Sequence, residues 1–209
     1  MSLTLYVGSK RYSSWSLRPY LALAHTGAQF DCKTILLDQD DTKANIAKVT
    51  QAGRVPVLHH DDLIVWDSLA ICEYVNELYP DAKLWPTDRA ARAKARAVSA
   101  EMHSGFAPLR RDMSMDIGAN LAGKGHSPEA LADARRVLAI WRDALTASGG
   151  PFLYGGFSIA DAMFAPVTTR FVTYGVDLDA QCRAYVDAVH ALPAMQQWIA
   201  DAAKEPKTR

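Results

Sequence analysis

The chain has 209 residues, 49% hydrophobic and 22% charged, proportions that exclude a disordered or collagen-like polymer and allow one large domain or two modest ones. Lysine plus arginine and aspartate plus glutamate each number 23, so the formal net charge is zero, and no basic block is present to neutralise a phosphate backbone; nucleic acid is not an expected partner. No run of about 18 apolar residues and no basic-then-apolar leader occurs, so neither a membrane span nor secretion is expected, and Cys32, Cys72 and Cys182, far apart and without CxxC spacing, read as reduced thiols of a cytoplasmic protein.

In chain order, the β-branched run Leu3 to Val7 predicts a strand, Leu17 to His25 a helix behind the helix-starting Pro19, and Cys32 to Leu37 a second strand. Together they form a βαβ unit. After an irregular stretch from Lys43 to Gln51, Val55 to His59 and Leu63 to Trp66 predict two strands joined by a tight turn at His60-Asp61-Asp62. A helix from Ser68 to Leu78 completes the order β-α-β-α-β-β-α. Tyr79 to Trp85 carries Pro80, is followed by Pro86 and has little periodicity, so the linker falls at residues 80–87, between an α/β domain over 1–79 and an all-helical domain over 88–209. In the second domain Thr87 or Asp88 caps an alanine-rich helix, Ser127 and Pro128 start another, and Gly149-Gly150-Pro151 ends it.

Three stretches of the first domain carry chemistry. Pro56 stands before a strand, where it cannot donate to a ladder, and this leaves the main chain of Val55 free to pair with an extended peptide. Asp67 and Ser68 open a helix: Ser68 reads equally as a cap or as a ligand for a carboxylate welcomed by the helix N-terminus, while Asp67 suits an ammonium. The stretch Tyr12-Ser13-Ser14-Trp15-Ser16-Leu17-Arg18 groups several small donors at a helix start.

Ser13 to Arg18, then Gly53-Arg54-Val55-Pro56-Val57 and Asp67-Ser68-Leu69-Ala70-Ile71, resemble the glutathione transferase superfamily over nearly the whole chain, with Ser158-Ile159-Ala160-Asp161 similar to its helix-capping box. The resemblance implies a thioredoxin-like first domain with cis Pro56, an all-helical second domain, a homodimer along the helix after Asp88, and glutathione as substrate or cofactor. The opening motif is most similar to the zeta class, which includes maleylacetoacetate isomerases. Matched in place, Ser13 is the activating serine and Ser14 the second hydroxyl. Trp15 departs from the motif: an indole replaces a cysteine and forms no mixed disulfide with glutathione.

The serine chemistry stands apart from the name. A free thiol with a pKa of about 8.5 is mostly protonated at neutral pH, and only the thiolate attacks. A hydroxyl donating to sulfur and the positive end of a helix both favour the anion. Lowering the pKa by about two units needs about 2.7 kcal/mol, within reach of one such bond plus a helix terminus. Ser13 is the expected activator, with Ser14 and then Tyr12 as rivals, while Tyr6 belongs to the first strand.

Arg54, or less well Lys43, suits the glycine carboxylate of glutathione. Arg18 is expected to pair or pack along its helix. Met102, His103, Phe106 and Arg110 form a stripe that suits an acceptor pocket but is ordinarily core, and it is assigned to core. His59 and His60 have no metal-ligand spacing, and Asp161 is expected to return a hydrogen bond to the Ser158 amide. The expected function is transfer of glutathione to a small electrophile. The alternatives are a glutathione-dependent cis-trans isomerase and a non-catalytic binding module; a thioredoxin-type reductase lacks its CxxC pair.

Overall fold

A computed structural model of the chain describes residues 2–208. Strand β1 (Leu3–Gly8) runs parallel to β2 (Asp31–Ile35), and helix α1 (Ser14–His25) makes the crossover. Parallel neighbours require such a crossover, and the apolar face of α1 covers the sheet it connects. Leu17, Leu21, Ala22 and Leu23 are buried there with Leu3, Leu5 and Val7. Helix α2 (Thr42–Ala47) follows, and β3 (Val57–His60) and β4 (Leu63–Trp66) form an antiparallel hairpin, giving the sheet order β2-β1-β3-β4. Helix α3 (Ser68–Leu78) packs beside α1. This is the thioredoxin-like βαβαββα arrangement, and the Val55–Pro56 peptide is cis.

Several boundaries differ from the sequence reading. Helix α1 begins at Ser14, so Pro19 lies inside it and, lacking an N–H, cannot donate to the Trp15 carbonyl. Strand β2 ends at Ile35, and the stretch after Lys43 holds α2 rather than irregular chain. Strand β3 starts at Val57 because Pro56 cannot join the ladder, which leaves Val55 as a half-buried residue ahead of it.

The remaining chain is helical: α4 (Arg89–Ser104), α5 (Ala107–Asp112), α6 (Pro128–Ser148), α7 (Ile159–Tyr174), α8 (Ala180–His190) and α9 (Pro193–Ala202). Asp88 caps α4 through the Ala91 amide at 2.7 Å, Ser127 caps α6 through Ala130, and Gly149 ends α6 in the left-handed region. Helix α7 is buried nearly all round and is the axis of this half, packed against both α1 and α4. Asp161 accepts from the Ser158 amide at 2.8 Å and from the Leu153 amide at 3.0 Å, the stabilising role the sequence assigns it.

The helical half also holds the loop that leads into α1. Trp198 Nε1 donates to the Lys10 carbonyl at 2.8 Å, and Glu205 accepts from the Lys10 and Arg11 amides. Lys10 pairs with Asp201 and Arg11 with Asp116, each at 2.6 Å. Among the described residues, no helix is long and apolar enough to cross a membrane.

Candidate active site

Ser13 and Ser14 are both 6% exposed at the N-terminus of α1. The Ser13 hydroxyl donates to Ser16 Oγ at 2.7 Å, and Ser16 Oγ also accepts from the Gly8 amide at 3.0 Å. A methyl group on Gly8 would stand 3.0 Å from Ser13 Oγ, so glycine at the end of β1 is what lets α1 bring the hydroxyl this close. Tyr12 borders the same cavity as Ser13 and Ser14, and its hydroxyl accepts from the Thr208 amide at 3.3 Å. Tyr6 lies in β1, as expected.

Asp67, not Ser68, is the N-cap of α3. It takes φ +74° and accepts from the Leu69 and Ala70 amides at 2.9 and 3.2 Å. A non-glycine residue there is strained, and strain of this kind gathers at ligand sites. The other carboxylate oxygen lies 3.2 Å from His103 Nε2. Burial pushes His103 below the usual histidine range despite the nearby Asp67. Ser68, relieved of capping, is 1% exposed and its hydroxyl has no partner among the described residues. An orphaned buried hydroxyl is costly and suits a ligand that completes it.

Two cavities adjoin. One, about 640 Å³, is lined by Trp15, Arg54, Val55, Pro56, Asp67, Ser68 and His103. The other, about 360 Å³, is lined by Ser13, Ser14, Trp15, Arg54, Val55, Arg110 and Arg170 among others. Trp15, Arg54 and Val55 border both, so an extended molecule lying along Val55 reaches Ser68 at one end and Ser13 at the other. The structure thus brings Ser13, Ser14, Val55, Asp67 and Ser68 to these two cavities, with Arg54 exposed on the rim. Lys43 is exposed on α2 and lines neither cavity.

The charges around Trp15 follow no pattern legible in the sequence. The Arg18 guanidinium lies 4.3 Å from the indole centroid and that of Arg110 lies 4.7 Å away. Arg18 is fully buried, and none of its nitrogens has a hydrogen-bond partner among the described residues. Burial, then repulsion from Arg110 and Arg170, lowers its pKa well below the usual range, and burial lowers Arg170 to about 9. Arg18 is thus a cation stacked on an aromatic face rather than a partner in an ion pair. The stripe assigned to core divides. Met102 and Phe106 are buried, whereas α4 stops at Ser104, Phe106 turns through φ +60°, and His103 and Arg110 reach the two cavities.

The chain has relatives among known proteins. Residues 12–78 match the Glutathione S-transferase N-terminal domain and residues 89–201 its C-terminal domain. A maleylacetoacetate isomerase from Pseudomonas aeruginosa is 29% identical over 99% of both chains, and one from Rattus norvegicus is 27% identical over 83% of this chain and 80% of that one. A probable maleylacetoacetate isomerase from Caenorhabditis elegans is 38% identical over 46% of this chain, and that match spans 45% of the relative; the match to Glutathione S-transferase 1 of Dianthus caryophyllus spans 48% of that protein. Among solved structures, a glutathione transferase homologue from Burkholderia GL BGR1 with bound glutathione superposes with TM-score 0.75 at 27% identity, covering 99% of this chain and all of that one. With both halves matched along their length and the thioredoxin-like sheet and helical half in the expected order, the chain belongs to the glutathione S-transferase family.

Proposed function

We propose that the protein is a glutathione transferase that ionises the thiol of glutathione at Ser13 and adds it to a small electrophile. The reading rests above all on the two adjoining cavities, with the orphaned Ser68 hydroxyl at one end and Ser13 at the other. Glutathione lies extended along Val55. Its γ-glutamyl carboxylate completes Ser68 at the N-terminus of α3, its ammonium meets Asp67, and its glycine carboxylate turns toward Arg54.

At the sulfur, Ser13 supplies the proton once the hydroxyl pair reverses, Ser16 donating to Ser13 and Ser13 to the thiolate. The Gly8 amide keeps the Ser16 oxygen in place in either order, and each bond in such a chain strengthens the next. The N-terminus of α1 adds its positive dipole. Ser14 is the second hydroxyl of the site. The chain works in the cytoplasm, where its free cysteines stay reduced, and pairs with a second copy of itself.

Ultraviolet titration of bound glutathione in the wild type and Ser13→Ala tests the assignment. The variant is expected to raise the thiol pKa by about one to two units. An unchanged value removes Ser13 from the role and gives it to Ser14 or Tyr12. The isomerase relatives support a second reading, in which the thiolate adds to a double bond, allows rotation and leaves again. A product of the same mass as the substrate, with no glutathione consumed, would establish it.

A further inference from the structure

The turn between β1 and α1 is buried more deeply than its residues suit. Ser9 to Ser13 reverse the chain, and two of them are neighbouring cations, Lys10 at 9% and Arg11 at 7% exposed. Burying them is costly without carboxylates beside them, and Asp201 and Asp116 supply these at 2.6 Å each. Inside the turn, the Ser9 carbonyl accepts from the Tyr12 and Ser13 amides at 3.0 and 2.7 Å. The main chain of Lys10 and Arg11 is served from the helical half instead. Trp198 Nε1 and the Ile117 amide donate to the two carbonyls at 2.8 and 3.1 Å, and the two amides donate to the two oxygens of Glu205 at 2.9 and 3.2 Å. A carboxylate that spans successive amides fixes both the position and the tilt of the peptide between them.

Ser13 lies two residues beyond Arg11. As the N-cap of α1 it makes no side-chain bond to a helix amide, its hydroxyl going to Ser16 Oγ, so the usual cap does not anchor the start of this helix. What anchors it is the turn before it. Glu205, half-buried three residues past the end of α9, lines neither cavity, so its hold on the site passes through the turn.

We propose that Glu205 is a positioning residue, clipping the turn so that Ser13 stands where the glutathione sulfur needs its hydroxyl. This rests on the glutathione transferase reading and adds to its machinery a residue from beyond the last helix. Displacing a catalytic group costs rate steeply, and about 1 Å is worth up to about a hundred-fold. The charge of Glu205 works in the other direction. Removing an anion from the neighbourhood of a thiolate eases ionisation, so loss of the charge by itself lowers the thiol pKa, whereas loss of placement raises it. The two roles predict opposite signs.

The test is an ultraviolet titration of bound glutathione in the wild type, Glu205→Ala and Glu205→Gln, with glutathione affinity read by calorimetry. Glu205→Ala is expected to raise the thiol pKa by about half a unit to one unit, leaving a thiolate fraction about three- to ten-fold smaller at neutral pH. Affinity is expected to stay within about two-fold of the wild type, because Val55, Asp67 and Ser68 are untouched. Glu205→Gln keeps the side-chain length and one acceptor oxygen, so it serves one amide and is expected to show a smaller rise; it carries the test if the alanine variant unfolds. In a Ser13→Ala background, Glu205→Ala is expected to shift the pKa by less than about 0.3 unit further, since a residue that acts through Ser13 has nothing left to place. An unchanged or lowered pKa in both Glu205 variants overturns the proposal, as does a shift of the same size with and without the Ser13 hydroxyl. A wild type that binds no glutathione at millimolar concentration, or leaves its thiol at the solution pKa, defeats the transferase reading and this proposal with it. A lowered thiol pKa in the wild type that ignores Glu205 defeats this proposal alone.

Discussion

Asp67 performs several tasks with one side chain: it caps α3, meets His103 and leaves its carboxylate beside the cavity, all from a left-handed backbone. Asparagine caps helices as well as aspartate and tolerates positive φ, so Asp67→Asn separates the structural tasks from the charge. The expected outcome is an unfolding free energy within about 0.5 kcal/mol of the wild type, read by denaturant titration, with glutathione affinity weakened about ten-fold by calorimetry. A large loss of stability with unchanged affinity would reduce Asp67 to a cap. Trp15 shows how one residue type redirects a motif. In place of a thiol it offers two faces, and both Arg18 and Arg110 come to rest on the indole.

At the scale of elements, α7 is set by its first turn. Burial drives Asp161 up to about 6 from the ordinary 3.8, although the amides of Leu153 and Ser158 and the Ser158 hydroxyl pull the other way. A folded pKa above the unfolded one means that the native state holds the proton more tightly. The stabilisation from that proton is therefore complete below about pH 4 and is lost as pH rises through about 6. The difference in unfolding free energy between wild type and Asp161→Asn is accordingly expected to shrink from pH 4 to 6 and then level off. A difference independent of pH would show that Asp161 is ionised throughout. Helix α9 acts at the other end of the site: Trp198, Asp201 and the following Glu205 hold the chain at Lys10 and Arg11, so the approach of Ser13 to Ser16 depends on residues nearly the whole sequence away.

For the molecule as a whole, the edge strand β4 exposes Leu63 at 48% and Ile64 at 40%, while Trp66, 56% exposed, borders the larger cavity. An uncovered apolar edge strand invites a partner, and the proposed second copy fits there better than along the charged α4 that the sequence suggests. Leu63→Glu is expected to shift sedimentation velocity from dimer to monomer, while Arg89→Glu on α4 leaves the dimer intact. The reverse result would return the interface to α4.

The order of strands and helices, the proline ahead of β3 and the capping of α4, α6 and α7 were legible in the residues, because periodicity, proline geometry and caps are local properties of the chain. So were Ser13, Val55, Asp67 and Ser68 as a group, since the thioredoxin-like half brings its loops to one edge of the sheet. Which residue caps α3 was not legible, because Asp67 and Ser68 both suit the position and only the backbone turn at Asp67 chose between them. Nor were Arg18, Arg110 and Arg170 legible as a cluster. They come from α1, α5 and α7 in two halves of the chain, and only the packing of those helices buries Arg18 against Trp15 and sets Arg110 and Arg170 on one cavity wall.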